Sequence, residues 1–265
     1  MLHGGDIRTL AEQAGLATDE LLDCSASINP CGPPLWLRDV VARALDGVLH
    51  YPDPQCRALR AAAAARFGCR AGQVLPGAGT EALIDLLPRA LGTTRMLLPI
   101  PCYNGYHEAA RRNGCEILTV TGAAEQGFRV DCARLGSALR DGDLVICGHP
   151  ANPGGQLLPV DELLPLMRAH RAVTFVIDEA FIELCDRAAS LIGCTLPNVL
   201  VLRSLTKCFA IPGMRVGLAV GPEELVTPLA DAQSSWSVGC VEEAVAVACL
   251  GDDEHLRQSR ERLRV

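Results

Sequence analysis

The chain has 265 residues, 49% of them hydrophobic, enough for one large domain or one and a half ordinary ones around a sizeable buried core. A formal net charge of −7 excludes a broad electrostatic footprint for nucleic acid, which needs clustered Lys and Arg. No apolar run approaches the roughly 18 residues that span a bilayer, and the first 20 residues lack the charged-then-apolar order of a secretion signal, so a globular cytoplasmic protein without a membrane partner is expected.

In chain order, two helices are predicted first: Leu35–Val48 after Pro33-Pro34, and the alanine-rich Gln55–Phe67 closed by Gly68. Short apolar runs then alternate with amphipathic stretches. The runs are Met96–Ile100, Glu116–Val120, Leu144–Cys147, Thr174–Ile177, Val199–Leu202 and Val216–Val220. The predicted helices between them are Thr80–Leu91, Gly105–Asn113, Cys132–Arg140, Val160–Ala169 and Glu223–Ala230. This alternation is the pattern of an α/β fold with a largely parallel sheet. Two further helices, Glu242–Leu250 and Asp252–Arg264, close the chain. The 13 cysteines are odd in number, contain no C-x-x-C pair and stand singly, which favours reduced, mostly buried thiols and no metal site.

The chemistry gathers at the ends of the predicted strands. Ser204-Leu-Thr-Lys207, then Ala210-Ile-Pro-Gly213 and Arg215, puts an amine, two hydroxyls and a guanidinium within a dozen residues of one strand. A lysine can form a Schiff base with an aldehyde, while hydroxyls and an arginine fork hold a phosphate; pyridoxal 5′-phosphate (PLP) fits that description. Lys207 is the only lysine of the chain and is expected in a loop. Gly77-Ala-Gly-Thr-Glu81 opens a helix, where free N–H groups can cradle an anion, although glycines before a helix also serve as plain turns and Thr80 as an N-cap. Asp178 ends an apolar run, where a carboxylate can keep a pyridinium nitrogen protonated or cap a helix. Asn152, in His149-Pro-Ala-Asn-Pro153, can donate to a ring oxygen or serve turn chemistry; Tyr103 can stack on a cofactor or pack in a core.

Taken in order, Gly77–Glu81, Tyr103, Asn152-Pro153, Asp178-Glu-Ala-Phe181 and Ser204–Arg215 resemble the large domain of fold type I PLP enzymes, the class I/II aminotransferase superfamily. The resemblance implies a mostly parallel central sheet flanked by helices. It casts Lys207 as the cofactor lysine, Asp178 as partner of the pyridine nitrogen, Asn152 as donor to O3′ and Tyr103 as the stacking ring. Gly79, Thr80, Ser204 and Arg215 would hold the phosphate, and Tyr51, in His50-Tyr-Pro-Asp-Pro54, would reach the phosphate of a neighbouring subunit, which implies a homodimer.

The N-terminal stretches His3-Gly-Gly-Asp-Ile7 and Leu22-Asp-Cys-Ser-Ala-Ser-Ile-Asn29-Pro are similar to those of the threonine-phosphate decarboxylases of cobalamin biosynthesis, a branch close to histidinol-phosphate aminotransferases. In that branch the residues matching His3, Gly4 and Asn29 contact a phosphorylated amino acid substrate, and Asn152 lies beside it. Phe181 stands where many aminotransferases have a tyrosine that binds O3′, and Ser27 stands where relatives often have Asn. The expected activity is therefore decarboxylation of L-threonine O-3-phosphate, with a phosphate-substrate aminotransferase or an inactive PLP-binding remnant as the alternatives. The expected organisation is an arm over residues 1–34 contributing to the substrate site, a PLP-binding large domain over 35–235 and the start of a C-terminal small domain over 236–265. The family continues into a domain whose arginines bind the substrate carboxylate, so that small domain is expected to be largely missing, as in a fragment, a truncated product or a degenerate paralogue.

Overall fold

The computed structural model describes residues 4–264. Seven strands, β1 (Val74–Gly77), β2 (Arg95–Ile100), β3 (Glu116–Thr121), β4 (Leu144–Gly148), β5 (Thr174–Asp178), β6 (Val199–Ser204) and β7 (Gly217–Val220), form one sheet in the order β1-β7-β6-β5-β4-β2-β3. β7 runs antiparallel to both its neighbours, and the other six strands share one direction. The helices in chain order are α1 (Ile7–Ala14), α2 (Leu37–Ala44), α3 (Arg57–Phe67), α4 (Gly79–Leu91), α5 (Asn104–Arg112), α6 (Cys132–Ala138), α7 (Val160–Ala169), α8 (Leu205–Cys208), α9 (Glu223–Ala232), α10 (Cys240–Leu250) and α11 (Asp253–Leu263).

Both faces of the sheet are buried, which is why its central strands read as continuous apolar runs. Alternate residues of one strand serve opposite faces. On one face Met96, Leu98, Ile146, Val176 and Leu202 pack with Leu83 and Leu87 of α4, Ala109 of α5 and Leu229 of α9. On the other, Leu97, Val145, Phe175, Ile177 and Val201 pack with Leu135 of α6 and Leu163 and Met167 of α7. A third cluster joins Leu59 and Ala63 of α3, Val74, Leu218, Cys208 and Phe209 to Val245, Ala246 and Cys249 of α10 and Leu256 of α11. The last two helices therefore share a core with the sheet edge. Full burial of each such Leu, Ile or Phe contributes about 1.5–3 kcal/mol.

Several features depart from the sequence-based expectation, α1 among them, since no helix is predicted before Leu35. β1 was not predicted, because Pro76-Gly77 resembles a turn; as an edge strand pairing only with β7 it tolerates the proline. The predicted helix Leu35–Val48 is α2 followed by a 3-10 turn over Leu45–Leu49. Lys207 lies in the single helical turn α8 rather than in a loop. The thiols are also less buried than expected: Cys56, Cys132, Cys147, Cys208 and Cys249 are buried, Cys24 is exposed and the others lie between.

This topology sends several chain segments to one edge of the sheet. Parallel strands β1, β4, β5 and β6 all end there, while antiparallel β7 begins there. The register makes the convergence explicit: Gly217 is opposite Gly77 on one side and Ser204 on the other, and Gly148 is opposite Asp178.

Candidate active site

A cleft at that edge is lined by Gly79, Thr80, Glu81, Tyr103, Tyr106, Asn152, Asp178, Phe181, Ser204, Thr206, Lys207 and Arg215, among others. Asp178 and Ser204 are the last residues of β5 and β6, Arg215 lies just before β7, and the others come from the segments or helix starts that follow strand ends.

Asp178, the last residue of β5, is buried at the floor. Its Oδ2 accepts a hydrogen bond from the Tyr106 hydroxyl at 2.8 Å and its Oδ1 accepts one from the Ala180 N–H at 3.1 Å. Burial nonetheless pushes its carboxyl up to about 6, and these two donors only partly offset that. Tyr106 is itself buried, and both burial and the adjacent carboxylate drive its phenol well above the usual range.

Tyr103, at the N-terminus of α5, meets Tyr106 edge to face, with ring centroids 5.5 Å apart and planes at 82°. Its hydroxyl donates to Glu81 Oε2 at 3.1 Å. Burial and then Glu81 push that hydroxyl up to about 12, so it stays protonated as the donor.

Lys207 is half-buried on α8. Burial, and then the Arg215 guanidinium, lower its pKa, against the attraction of Asp178. The Ser204 and Thr206 hydroxyls lie 2.9 Å apart at the foot of the same turn. Arg215 donates to the Pro212 carbonyl at 3.3 Å and pairs with no carboxylate among the described residues. It faces the first turn of α4, whose N-cap Ala78 supplies no side-chain acceptor for the free N–H groups. Space between them is kept by two glycines. A Cβ on Gly79, which has a φ of +80°, would come 2.6 Å from Arg215 Nη2, and one on Gly217 would come 2.6 Å from the Thr80 nitrogen.

Asn152 lines the cleft from the β4–α7 loop. His149 braces that loop: its buried ring accepts the Leu158 N–H on Nδ1 at 3.1 Å and presents Nε2 to the Ala189 carbonyl at 3.2 Å. These partners require the neutral Nε2–H tautomer, and burial lowers the histidine pKa in the same sense.

The remaining expected site residues lie elsewhere. His3 is outside the described residues. Gly4 is exposed, with a Cβ there meeting the Ser25 carbonyl oxygen at 2.0 Å, and it does not line the cleft. Asn29 is not in the cleft either. It is 3% exposed, and its amide donates to the Cys208 carbonyl and to Ser259 Oγ, both at 2.7 Å, so no donor is left for a substrate phosphate. Tyr51 is 81% exposed and stacks on Trp236 at 4.7 Å, away from this chain's cleft. Conversely, sequence reasoning missed Tyr106 and Glu81. The Tyr103-x-x-Tyr106 spacing puts two rings on one helix face and could have signalled the former.

The family model for aminotransferase class I and II matches residues 25–264, and the chain belongs to that family. Its cofactor is PLP. Among relatives, the chain is similar to the adenosylcobalamin biosynthesis bifunctional protein CobDQ of Leptospira interrogans, at 30% identity over 99% of this chain and 31% of that protein. It is also similar to the threonine-phosphate decarboxylase of Salmonella typhimurium, at 32% identity over 94% of this chain and 70% of that one. The fold is that of the histidinol-phosphate aminotransferase of Sinorhizobium meliloti, solved in complex with PLP, with a TM-score of 0.87, 21% identity, and coverage of 97% of this chain and 71% of that one. The chain thus spans from 31% to 73% of the length of such curated relatives.

The cleft residues suit the cofactor's chemistry. A half-buried amine, a buried carboxylate, an aromatic ring and a cationic, glycine-cleared anion cradle match an aldehyde, a ring nitrogen, a ring face and a phosphate in turn. No cluster of three or more His, Cys, Asp or Glu able to hold a metal occurs among the described residues, and no helix there is long and apolar enough to cross a membrane.

Proposed function

We propose that this chain carries the cofactor-binding part of a PLP-dependent decarboxylase that converts L-threonine O-3-phosphate to (R)-1-amino-2-propanol O-2-phosphate for cobalamin biosynthesis. PLP, when bound, draws electron density from the bonds at the substrate Cα. Lys207 would hold the cofactor aldehyde, and its lowered pKa favours the free amine that such attachment needs. Asp178, oriented by Tyr106, would pair with the pyridine nitrogen, and Tyr103 would stack on the ring. Gly79, Thr80, Ser204 and Arg215 would grip the phosphate. Asn152 would donate to O3′ and lie beside the substrate. Lys207, the only lysine of the chain, would also be available to move a proton at Cα.

The observation that carries the cofactor reading is the meeting in one cleft of the only lysine, a buried aspartate and an arginine that pairs with no acidic group among the described residues. The decarboxylase reading is supported by similarity to a protein of that name and by Phe181 in the cleft wall, where no hydroxyl can donate to O3′. We further infer a homodimer in which Tyr51 reaches the cofactor phosphate of the other subunit. For the substrate phosphate, His3 and Gly4 remain the proposed contacts. An aminotransferase acting on a phosphorylated substrate such as histidinol phosphate is the second reading, favoured by the fold likeness to such an enzyme. The protein incubated with PLP and threonine phosphate should release CO2 without any keto acid. Amine transfer that requires 2-oxoglutarate, with no CO2, would establish the second reading instead.

A further inference from the structure

Helix α8 is one turn long: its Leu205 and Thr206 carbonyls accept the Phe209 N–H at 3.2 Å and the Ile211 N–H at 3.0 Å, but its last two carbonyls have no full following turn to hold them. The Ala210 N–H reaches the Lys207 carbonyl only at 3.4 Å. The firmer partner comes from far away in the chain. The Asn29 N–H donates to the Lys207 carbonyl at 3.1 Å, and its side-chain Nδ2 donates to the next carbonyl, that of Cys208, at 2.7 Å. We propose that Asn29 is a positioning residue for Lys207, a clamp on two successive peptide carbonyls that fixes the lysine-bearing turn at the cleft.

The clamp is fully committed. The second Nδ2 proton goes to Ser259 Oγ of α11 at 2.7 Å, and Oδ1 accepts the Cys31 N–H at 3.0 Å. Ser259 in turn donates to the His255 carbonyl at 2.7 Å, and the His255 ring stacks on Phe209, 5.4 Å away, just after the lysine turn. His255 Nε2 lies 3.4 Å from the same Asn29 amide. The N-terminal arm and α11 are thereby bolted to α8 through one side chain that is 3% exposed. Aspartate in its place would put an acceptor against the Cys208 carbonyl, and alanine would leave that carbonyl and Ser259 short of a donor. Either change lets the turn shift, and a small displacement of a reacting group is costly in a preorganised site.

The importance of the clamp for catalysis rests on Lys207 being the cofactor lysine; its effect on the lysine does not. Because Lys207 is the only lysine, its acylation by acetic anhydride in the cofactor-free protein can be followed by peptide mass mapping across pH. For Asn29→Ala the midpoint of that pH–rate profile should move up toward an ordinary lysine, and the PLP dissociation constant, read by absorbance titration, should rise about tenfold. Asn198→Ala is the matched control: Asn198 is a buried asparagine whose Nδ2 holds the Met167, His170 and Val173 carbonyls away from the cleft. It should lower the melting temperature and leave both Lys207 readouts unchanged. Should Asn29→Ala fail to fold, Asn29→Ser provides the same comparison. A wild-type profile and wild-type PLP affinity in the Asn29 variants, or equal shifts in Asn198→Ala, would overturn the clamp. Failure of the wild-type protein to bind PLP would instead refute the cofactor reading, with the acylation profile still judging the clamp.

Discussion

At the floor of the cleft, Asp178 receives two hydrogen bonds, one from Tyr106 and one from the Ala180 backbone, and is otherwise removed from water. Its folded value of about 6 lies above the 3.8 of an ordinary aspartate, so between these values the folded cofactor-free protein binds the extra proton. Its contribution to stability is full below about pH 4 and is lost as pH rises through 6, with a slope of about 1.4 kcal/mol per pH unit in between. Stability of the cofactor-free protein in urea should therefore fall from pH 4.5 to 6 by ~1.4 kcal/mol per unit and level off above that, and Asp178→Asn should flatten that dependence; an unchanged slope in the variant would assign it to other groups. Tyr106→Phe removes the donor that keeps the carboxylate aimed. PLP affinity should drop about tenfold, the loss of one hydrogen bond to a charged group, and equal affinity in the two proteins would exclude Tyr106 from cofactor binding. Three residues show what motif adjacency does and does not convey. Lys207 and Asp178 were legible because reactive groups at strand ends converge in any parallel α/β sheet. Asn29 sits in an equally recognisable stretch, yet nothing local says that its amide turns inward toward Cys208 and Ser259 rather than outward to a ligand.

Among the elements, β2 and β4 are tied at the end remote from the cleft by a buried bidentate pair. Arg95 Nε meets Asp143 Oδ1 at 2.8 Å and Nη2 meets Oδ2 at 2.6 Å, with side-chain exposures of 8% and 3%. Asp143 also accepts the Arg140 N–H at 2.6 Å. Arg95→Met should cost about 3–5 kcal/mol in urea unfolding, because it strands a buried carboxylate, and adding Asp143→Leu should recover part of that loss. A single-variant cost under ~1 kcal/mol would mean the pair is effectively solvated. Element existence was readable from alternating apolar runs, and Val160–Ala169 matches α7 end to end. β1 escaped because a four-residue strand containing Pro76 and Gly77 has no periodicity long enough to read, and its partner β7 lies about 140 residues later in the chain. The lysine turn α8 escaped for a related reason: four residues cannot show a helical repeat, and this turn is held by Asn29 from outside.

For the molecule as a whole, the exposed apolar side chains near Tyr51 matter most. Leu45, Val48, Leu49 and Tyr51 are 52%, 57%, 82% and 81% exposed, and Trp236, stacked on Tyr51, is 49% exposed. Side chains of this kind clustered on a surface suit contact with another chain. Sedimentation velocity at micromolar concentration should give a dimer, and Tyr51→Asp should shift it toward monomer while weakening PLP binding. A wild-type protein that sediments as a monomer throughout would remove both the homodimer and the proposed role of Tyr51. The sequence by itself determined the α/β class, the strand-end chemistry and the family, because each depends on local periodicity or on reactive residue types at short spacing. Only the tertiary structure decided that Tyr106 supports Asp178, that Glu81 accepts from Tyr103, that β7 runs against its neighbours to bring Arg215 over Gly79, and that Asn29 points into the protein. Each of these depends on the direction of a side chain or strand set by packing between segments distant in sequence, which no local pattern encodes.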